Sequence, residues 1–170
     1  MPAAAWTDLL VGSDRLTALY TDLPHLRQLP LRSVHLSPYG AGVKLRVDLP
    51  RFPDRAPAAW TEAGCDRLEV QLEFMAVAED LRMRGTPDGT AVDLALADLP
   101  RVHEPRISVT ATGPAVQLSF TAYAAIKAVH LNAYRSTDPD PATAPRWFVS
   151  PMDQRLHRTQ PPVTSKAFHG

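Results

Sequence analysis

The 170-residue chain carries 18 Lys+Arg against 18 Asp+Glu, a formal charge of zero, which excludes the basic excess by which proteins usually grip nucleic acid. Its 45% hydrophobic and 21% charged residues suit one globular domain with a proper core, and no apolar run nears the ~20 residues of a membrane span. The single cysteine, Cys65, excludes an internal disulfide and any multi-cysteine metal site.

Proline is abundant, 17 residues, while glycine is not, at 8. That combination implies rigid loops and strand ends, because no glycine-rich tract accompanies it. The opening "MPAAAWTDLLVG" has no basic leading region, and Asp8 cuts its apolar run. No export leader is expected on that basis, and the chain is expected to be cytoplasmic.

The first thirty residues have helical spacing. Trp6, Leu9 and Leu10 precede Gly12 as a stop. Leu16, Leu19 and Tyr20 follow Ser13 as a possible N-cap, and Pro24 ends the pattern. From Leu31 the period becomes two. "LRSVHL", a turn in "SPYGAG" and "VKLRVDL" predict a hairpin, with Val43, Leu45, Val47 and Leu49 inward and Lys44, Arg46 and Asp48 outward.

The crossing "FPDRAPAAW" is too long for a tight hairpin. Pro53 and Pro57 stiffen it, and Trp60 is expected to plug the core at its far end. "DRLEVQLEFM" then places Leu68, Val70, Leu72 and Phe74 inward and Arg67, Glu69, Gln71 and Glu73 outward. "DLRMRG" and "TAVDLAL" are shorter strands around a turn. "RISVTAT" and "AVQLSFTA" form another hairpin, and "AIKAVHLNAYR" reads as a strand by its β-branched residues. A proline-rich loop, a short strand in "WFVS" and a flexible tail over 158–170 complete the chain, leaving a single β-rich domain over 1–157. Residues 32–47 and 106–120 echo one another, which suggests two related meanders. The predicted fold is mainly β: an antiparallel β-sandwich or curved β-meander with one or two short N-terminal helices.

Chemistry-bearing motifs are missing. There is no G-x-S-x-G, no phosphate-binding glycine loop and no H-E-x-x-H. "HEP" at His103 breaks at proline and reads as a loop. His35 and His130 each sit between apolar neighbours and are expected to be exposed or structural. No histidine pair has ligand spacing, so no metal site and no cofactor are expected. Cys65 lies between Glu62 and Asp66, which would raise a thiol's pKa rather than activate it. The outward rows admit two readings. Opposite charges can pair across neighbouring strands for ~0.2–1 kcal/mol each. Alternatively, Glu69 and Glu73, with Glu79 and Asp80, form an acidic patch for a basic partner, and Asp138 with Asp140 a second one.

"LRSVHLSPYGAGVKLRVDLPRFPDRAPAAW" followed by "CDRLEVQLEFMAVAEDLRMRG" resembles the immunity protein 50 family of bacterial polymorphic toxin systems. Trp6, Leu9, Leu10 and Gly12 fit the same pattern, as does "ISVTATGPAVQLSFTA…VHLNAYR", so the resemblance covers most of 6–135. It implies a small cytoplasmic protein that binds a cognate toxin domain and blocks it by occlusion, with no catalytic residues. Tyr39, Glu69, Glu73 and Asp138 are the expected partner-binding residues, on the general rule that exposed aromatics and charges make hot spots. Two other classes stay open: a β-sheet small-ligand binder or enzyme with a pocket between its sheet faces, and an assembly subunit.

Overall fold

The structure, a computed structural model, describes residues 3–164. The helical N-terminus is two short helices, α1 (Trp6–Leu9) and α2 (Asp14–Leu19), which bury Trp6, Leu16 and Leu19. Gly12 separates them at φ +64, a left-handed conformation that glycine adopts without a Cβ clash. Ser13 occupies the N-cap of α2 but makes no side-chain capping bond.

The described strands are β1 (Leu10–Val11), β2 (Leu29–Leu36), β3 (Val43–Asp48), β4 (Arg67–Phe74), β5 (Arg82–Gly85), β6 (Ala91–Asp98), β7 (Arg106–Thr112), β8 (Val116–Tyr123), β9 (Ile126–Tyr134) and β10 (Trp147–Phe148). Two further helices, α3 (Ala58–Glu62) and α4 (Pro151–Leu156), lie between β3 and β4 and after β10. All the strands belong to one open sheet of order β1-β9-β4-β3-β2-β6-β7-β8-β5, with β10 also on β9. The ladders are antiparallel except β1 on β9, which is parallel. The sheet is therefore mixed, and β1 takes the two residues that helical spacing had assigned to a helix.

Strand β2 is the corner. Its first residues, Leu29 and Pro30, pair with β6, and Leu31 to Leu36 pair with β3, with a register shift between Leu31 and Ser33. Strands that change partner through a bulge are how a sheet turns a corner. The turn brings distant strands face to face. Phe74 of β4 meets Phe120 of β8 edge-on at 5.2 Å between ring centroids, although five places separate the two strands in the sheet. The mainly β expectation is met by a curved open sheet that folds over itself in the manner of a sandwich. Leu29, Leu31, Leu45, Leu72, Val109 and Leu118 belong to one continuous buried cluster between its faces.

The expected repeat does not extend through the fold. Both hairpins form, but the long strand after the first, β4, pairs with β3, whereas the strand after the second, β9, pairs with β4 and not with β8. The crossing 52–60 leads into α3, where Pro57 is the N-cap and Trp60 is 3% exposed against Phe52 at 6.5 Å. Proline suits a helix start because its missing N–H would have no intrahelical partner there. The Arg55 N–H donates to Leu19 O at 2.9 Å, and Tyr20 Oη donates to Arg51 O at 2.6 Å, tying the crossing to α2.

Candidate partner-binding surface

Strands β3, β4 and β9 lie side by side, and the face turned away from the core is polar. Their register sets up rows across it: Asp48 opposite Glu69 opposite Asn132 at one end, Arg46 opposite Gln71 in the middle, and Lys44 opposite Glu73 opposite Lys127 at the other end. A bulge in β9 makes this possible. Between Glu69–Asn132 and Gln71–Val129, β4 has one residue and β9 has two, His130 and Leu131. His130 takes φ +53 there. Without the extra residue, strict alternation would turn Asn132 and Tyr134 toward the core.

The first end of this face is sealed. Glu69 is 1% exposed and Gln71 and Asp48 are fully buried. Arg146 donates through Nη1 to Glu69 Oε2 at 3.1 Å and to Asn132 Oδ1 at 2.9 Å, and its guanidinium stacks 3.9 Å over the Tyr134 ring. Arg46 Nε lies 3.5 Å from Glu69 Oε1, and Gln160 Nε2 donates to Glu69 Oε2 at 3.0 Å. Next to it, Arg32 and the Tyr134 hydroxyl both donate to Asp48 Oδ2, each at 2.6 Å. Burial first, then Asp48, pushes the Tyr134 phenol well above its ordinary value, so it stays a neutral donor. Burial lowers the Arg46 pKa, opposed by Glu69 and reinforced by Arg146.

The chain itself supplies the cover. Residues 158–164, the start of the expected tail, run across this face: Pro161 O accepts from Arg46 Nη2 and from Gln71 Nε2, and Val163 O accepts from Lys44 Nζ at 3.1 Å. Residues 165–170 lie outside the described residues. The expectation that Glu69 and Gln71 face solvent is therefore corrected. Alternation placed them off the core face correctly, but a second layer covers them. A charge taken out of water needs partners, and Glu69 has two guanidinium groups and an amide.

The opposite end stays open. Tyr39, at the tip of the β2–β3 hairpin, is 97% exposed. Together with Lys44, Glu73, Met75 and Val163, Tyr39 lines a groove of about 400 Å³. Glu73 stands between Lys44 and Lys127, so its surroundings are mixed in charge and not an acidic patch. Of the four expected partner residues, Tyr39 and Glu73 share this groove, and Glu69 lies on the same face under cover. Asp138 is apart, in the loop after the other end of β9, where it accepts from Arg135 Nε at 3.2 Å. Glu79 is exposed, and Asp80 Oδ1 accepts from the Thr121 N–H and hydroxyl.

One family model, immunity protein 50, matches residues 12–98, more than half of the chain. The chain belongs to the immunity protein 50 family. No curated protein and no solved structure matches it. In this immunity protein 50 family member, the matched segment runs from Gly12 through β6. It contains the corner strand, the hairpin tip and both groove residues, Tyr39 and Glu73.

Elsewhere, Cys65 is buried, and its thiol is pushed up to about 11 by that burial first, with Asp66 and Asp138 adding to the shift and Arg135 opposing it. Such a thiol is not a nucleophile near neutral pH. His35 lines the groove and is half-buried. His130 is not a solvent-facing strand residue: it is 3% exposed, because the bulge turns it toward α4. Its Nδ1 lies 3.1 Å from Asp153 Oδ1, with His157 close by. Spacing could not reveal this group, since its histidines are 27 positions apart in the chain.

Proposed function

We propose that this family member neutralises a cognate toxin domain of a polymorphic toxin system by forming a one-to-one complex in the cytoplasm, and that the open end of the polar face makes the contact. The observation that carries the reading is Tyr39. A tyrosine at 97% exposure on a hairpin tip has no role in packing, and the bond from its backbone N–H to Ser37 Oγ at 3.3 Å leaves the ring free to meet a partner. Tyrosine is over-represented among interface hot spots because it offers a large rigid surface with a polar end. Pro38 and Met75 extend the apolar area of the groove, and the Lys44–Glu73–Lys127 row offers both charge signs for register. Inhibition then works by occlusion: the toxin's working surface is covered, and no chemistry is asked of this chain.

The partner to test is the variable C-terminal domain of a large secreted protein, sought first in the gene immediately upstream. Calorimetric titration of that domain should give a one-to-one complex. Tyr39→Ala should weaken it by about 30-fold or more, the ~2 kcal/mol that marks a hot spot. Glu73→Lys, which places three cations in one row, should weaken it less. A Tyr39→Ala affinity within twofold of the parent would contradict the assigned surface. Absence of any complex would contradict the function. Charge reversal at Glu69 is not a usable probe, because that carboxylate holds the fold's own arginines.

A further inference from the structure

Three side chains meet where the far edge of β9 is bare of strand pairing. β1 occupies that edge at Ile126 and Lys127, and β10 at Asn132 and Ala133. His130 lies between the two. The bulge at φ +53 redirects its side chain, as bulges beside functional groups do. Helix α4 faces it with Asp153, and His157, the extended residue that caps the helix C-terminus, packs on the same group. Ser150 accepts the Asp153 N–H, and the His157 N–H donates to Asp153 O at 2.8 Å, which fixes both ligand-bearing residues at the ends of the same turn.

We propose that His130, Asp153 and His157 form a binding site for a divalent first-row transition ion, Zn²⁺ being the natural occupant. The donor atoms all lie within 4.8 Å of one another. His130 Nδ1 and Asp153 Oδ1, at 3.1 Å, are already near the ~3.4 Å between donors in a tetrahedral site with Zn–N of about 2.0–2.1 Å. The ion takes the place of the hydrogen bond between them. The third donor comes from His157, whose ring packs edge-on to His130 at 5.8 Å between centroids.

The imidazole of His157 supplies the independent observation. Its Nε2 is shielded from solvent and has no hydrogen-bond partner among the described residues. A buried polar atom without a partner is costly, and a metal is one partner that a neutral imidazole accepts. Two imidazoles and one carboxylate are a donor set for Zn²⁺ and its neighbours rather than for Mg²⁺ or Ca²⁺. Three protein ligands leave a coordination position for water or for a side chain of a partner. None of the three residues falls within the family-matched segment 12–98, so the site is a feature of this chain's C-terminal part. Its structural effect is to clamp α4 onto β9, and with it the segment 158–164 that covers Glu69.

The test uses the full chain without a histidine tag, stripped with chelator. Co²⁺ should bind at one equivalent and give ligand-field absorption stronger than that of the aqueous ion, and one equivalent of Zn²⁺ should abolish it. Zn²⁺ should also raise the thermal midpoint. Asp153→Asn and His157→Gln should each lower affinity by more than the ~10–100-fold that losing an outer hydrogen-bond partner costs a metal site, while His103→Gln, on an exposed loop, leaves it unchanged. Should the first two variants fail to fold, wild-type imidazole ¹⁵N resonances decide: Zn²⁺ must move those of His130 and His157 and not that of His103. Failure of the wild type to bind, full affinity in both ligand variants, or movement of the His103 resonance alone overturns the proposal and leaves a structural His–Asp hydrogen bond.

Discussion

The two halves of the sheet solve the same problem differently. In the β6–β7–β8 half, burial alternates cleanly: Val92, Leu94 and Leu96 are buried with Asp93 and Ala95 exposed between them, and Val116, Leu118 and Phe120 repeat this. One face packs and the other meets water. In the β3–β4–β9 half both faces are covered except at the groove end. Five consecutive residues of β4, Leu68 to Leu72, are buried, and so are the last six of β9. The core face there is apolar, but the opposite face is a layer of ionised and hydrogen-bonded side chains closed by Arg146 and residues 158–164. Polar residues outward in sequence therefore mean water in one half and a second, polar interior in the other.

That contrast can be broken most sharply at Glu69. Glu69→Ala leaves Arg46 and Arg146 without their carboxylate in a desolvated layer, and should cost ~3–5 kcal/mol. Chemical denaturation measures it, and a loss below ~1 kcal/mol would mean that the layer is wet. Arg146→Ala should cost a similar amount, and the Glu69/Arg146 double variant less than the sum of the two, because the residues share one network. Trp60→Ala, at the crossing that introduces the covered half, should cost ~3–5 kcal/mol through its cavity. If it cost no more than a surface change, α3 would not be anchored to the core.

The open half sets the small end of the scale. Gln117 of β8 is exposed, opposite Arg84 of β5. Gln117→Glu should leave stability within ~0.5 kcal/mol, against several kcal/mol for the equally outward-pointing Glu69. Smallest of all is the response of Cys65 to thiol reagents. With its pKa near 11, the thiol is almost wholly protonated at pH 8. Iodoacetamide should label it only after denaturation, as read by intact-mass spectrometry, and rapid labelling of the native chain would contradict its burial.

Much of the fold was legible because alternation is a local signal. Val43 to Leu49 and Leu68 to Phe74 announce their strands and their core faces, and Trp60 declares itself as an anchor by following two prolines. The cover over Glu69 was not legible. It depends on Arg146 and Pro161, which are distant in sequence and carry no periodicity, and a charged row looks the same whether water or a guanidinium faces it. The curvature was also hidden, since only pairing shows that β2 divides its length between β6 and β3. The bulge in β9 does leave a trace, a change of phase from Ile126 and Ala128 to Leu131 and Ala133. The His130–Asp153–His157 group depends on that bulge and on a six-residue helix, so chain spacing could not disclose it. Tyr39 and Glu73 were picked out separately as exposed side chains, and the hairpin geometry places them in one groove.

The assigned surface is tested most directly by hydrogen exchange of the chain alone and in complex with the cognate toxin domain. The account predicts new protection in residues 35–44 and 73–76, with the β5–β8 edge unchanged. Protection confined to the β5–β8 edge or to the 135–145 loop, with the hairpin tip still exchanging freely, would contradict it.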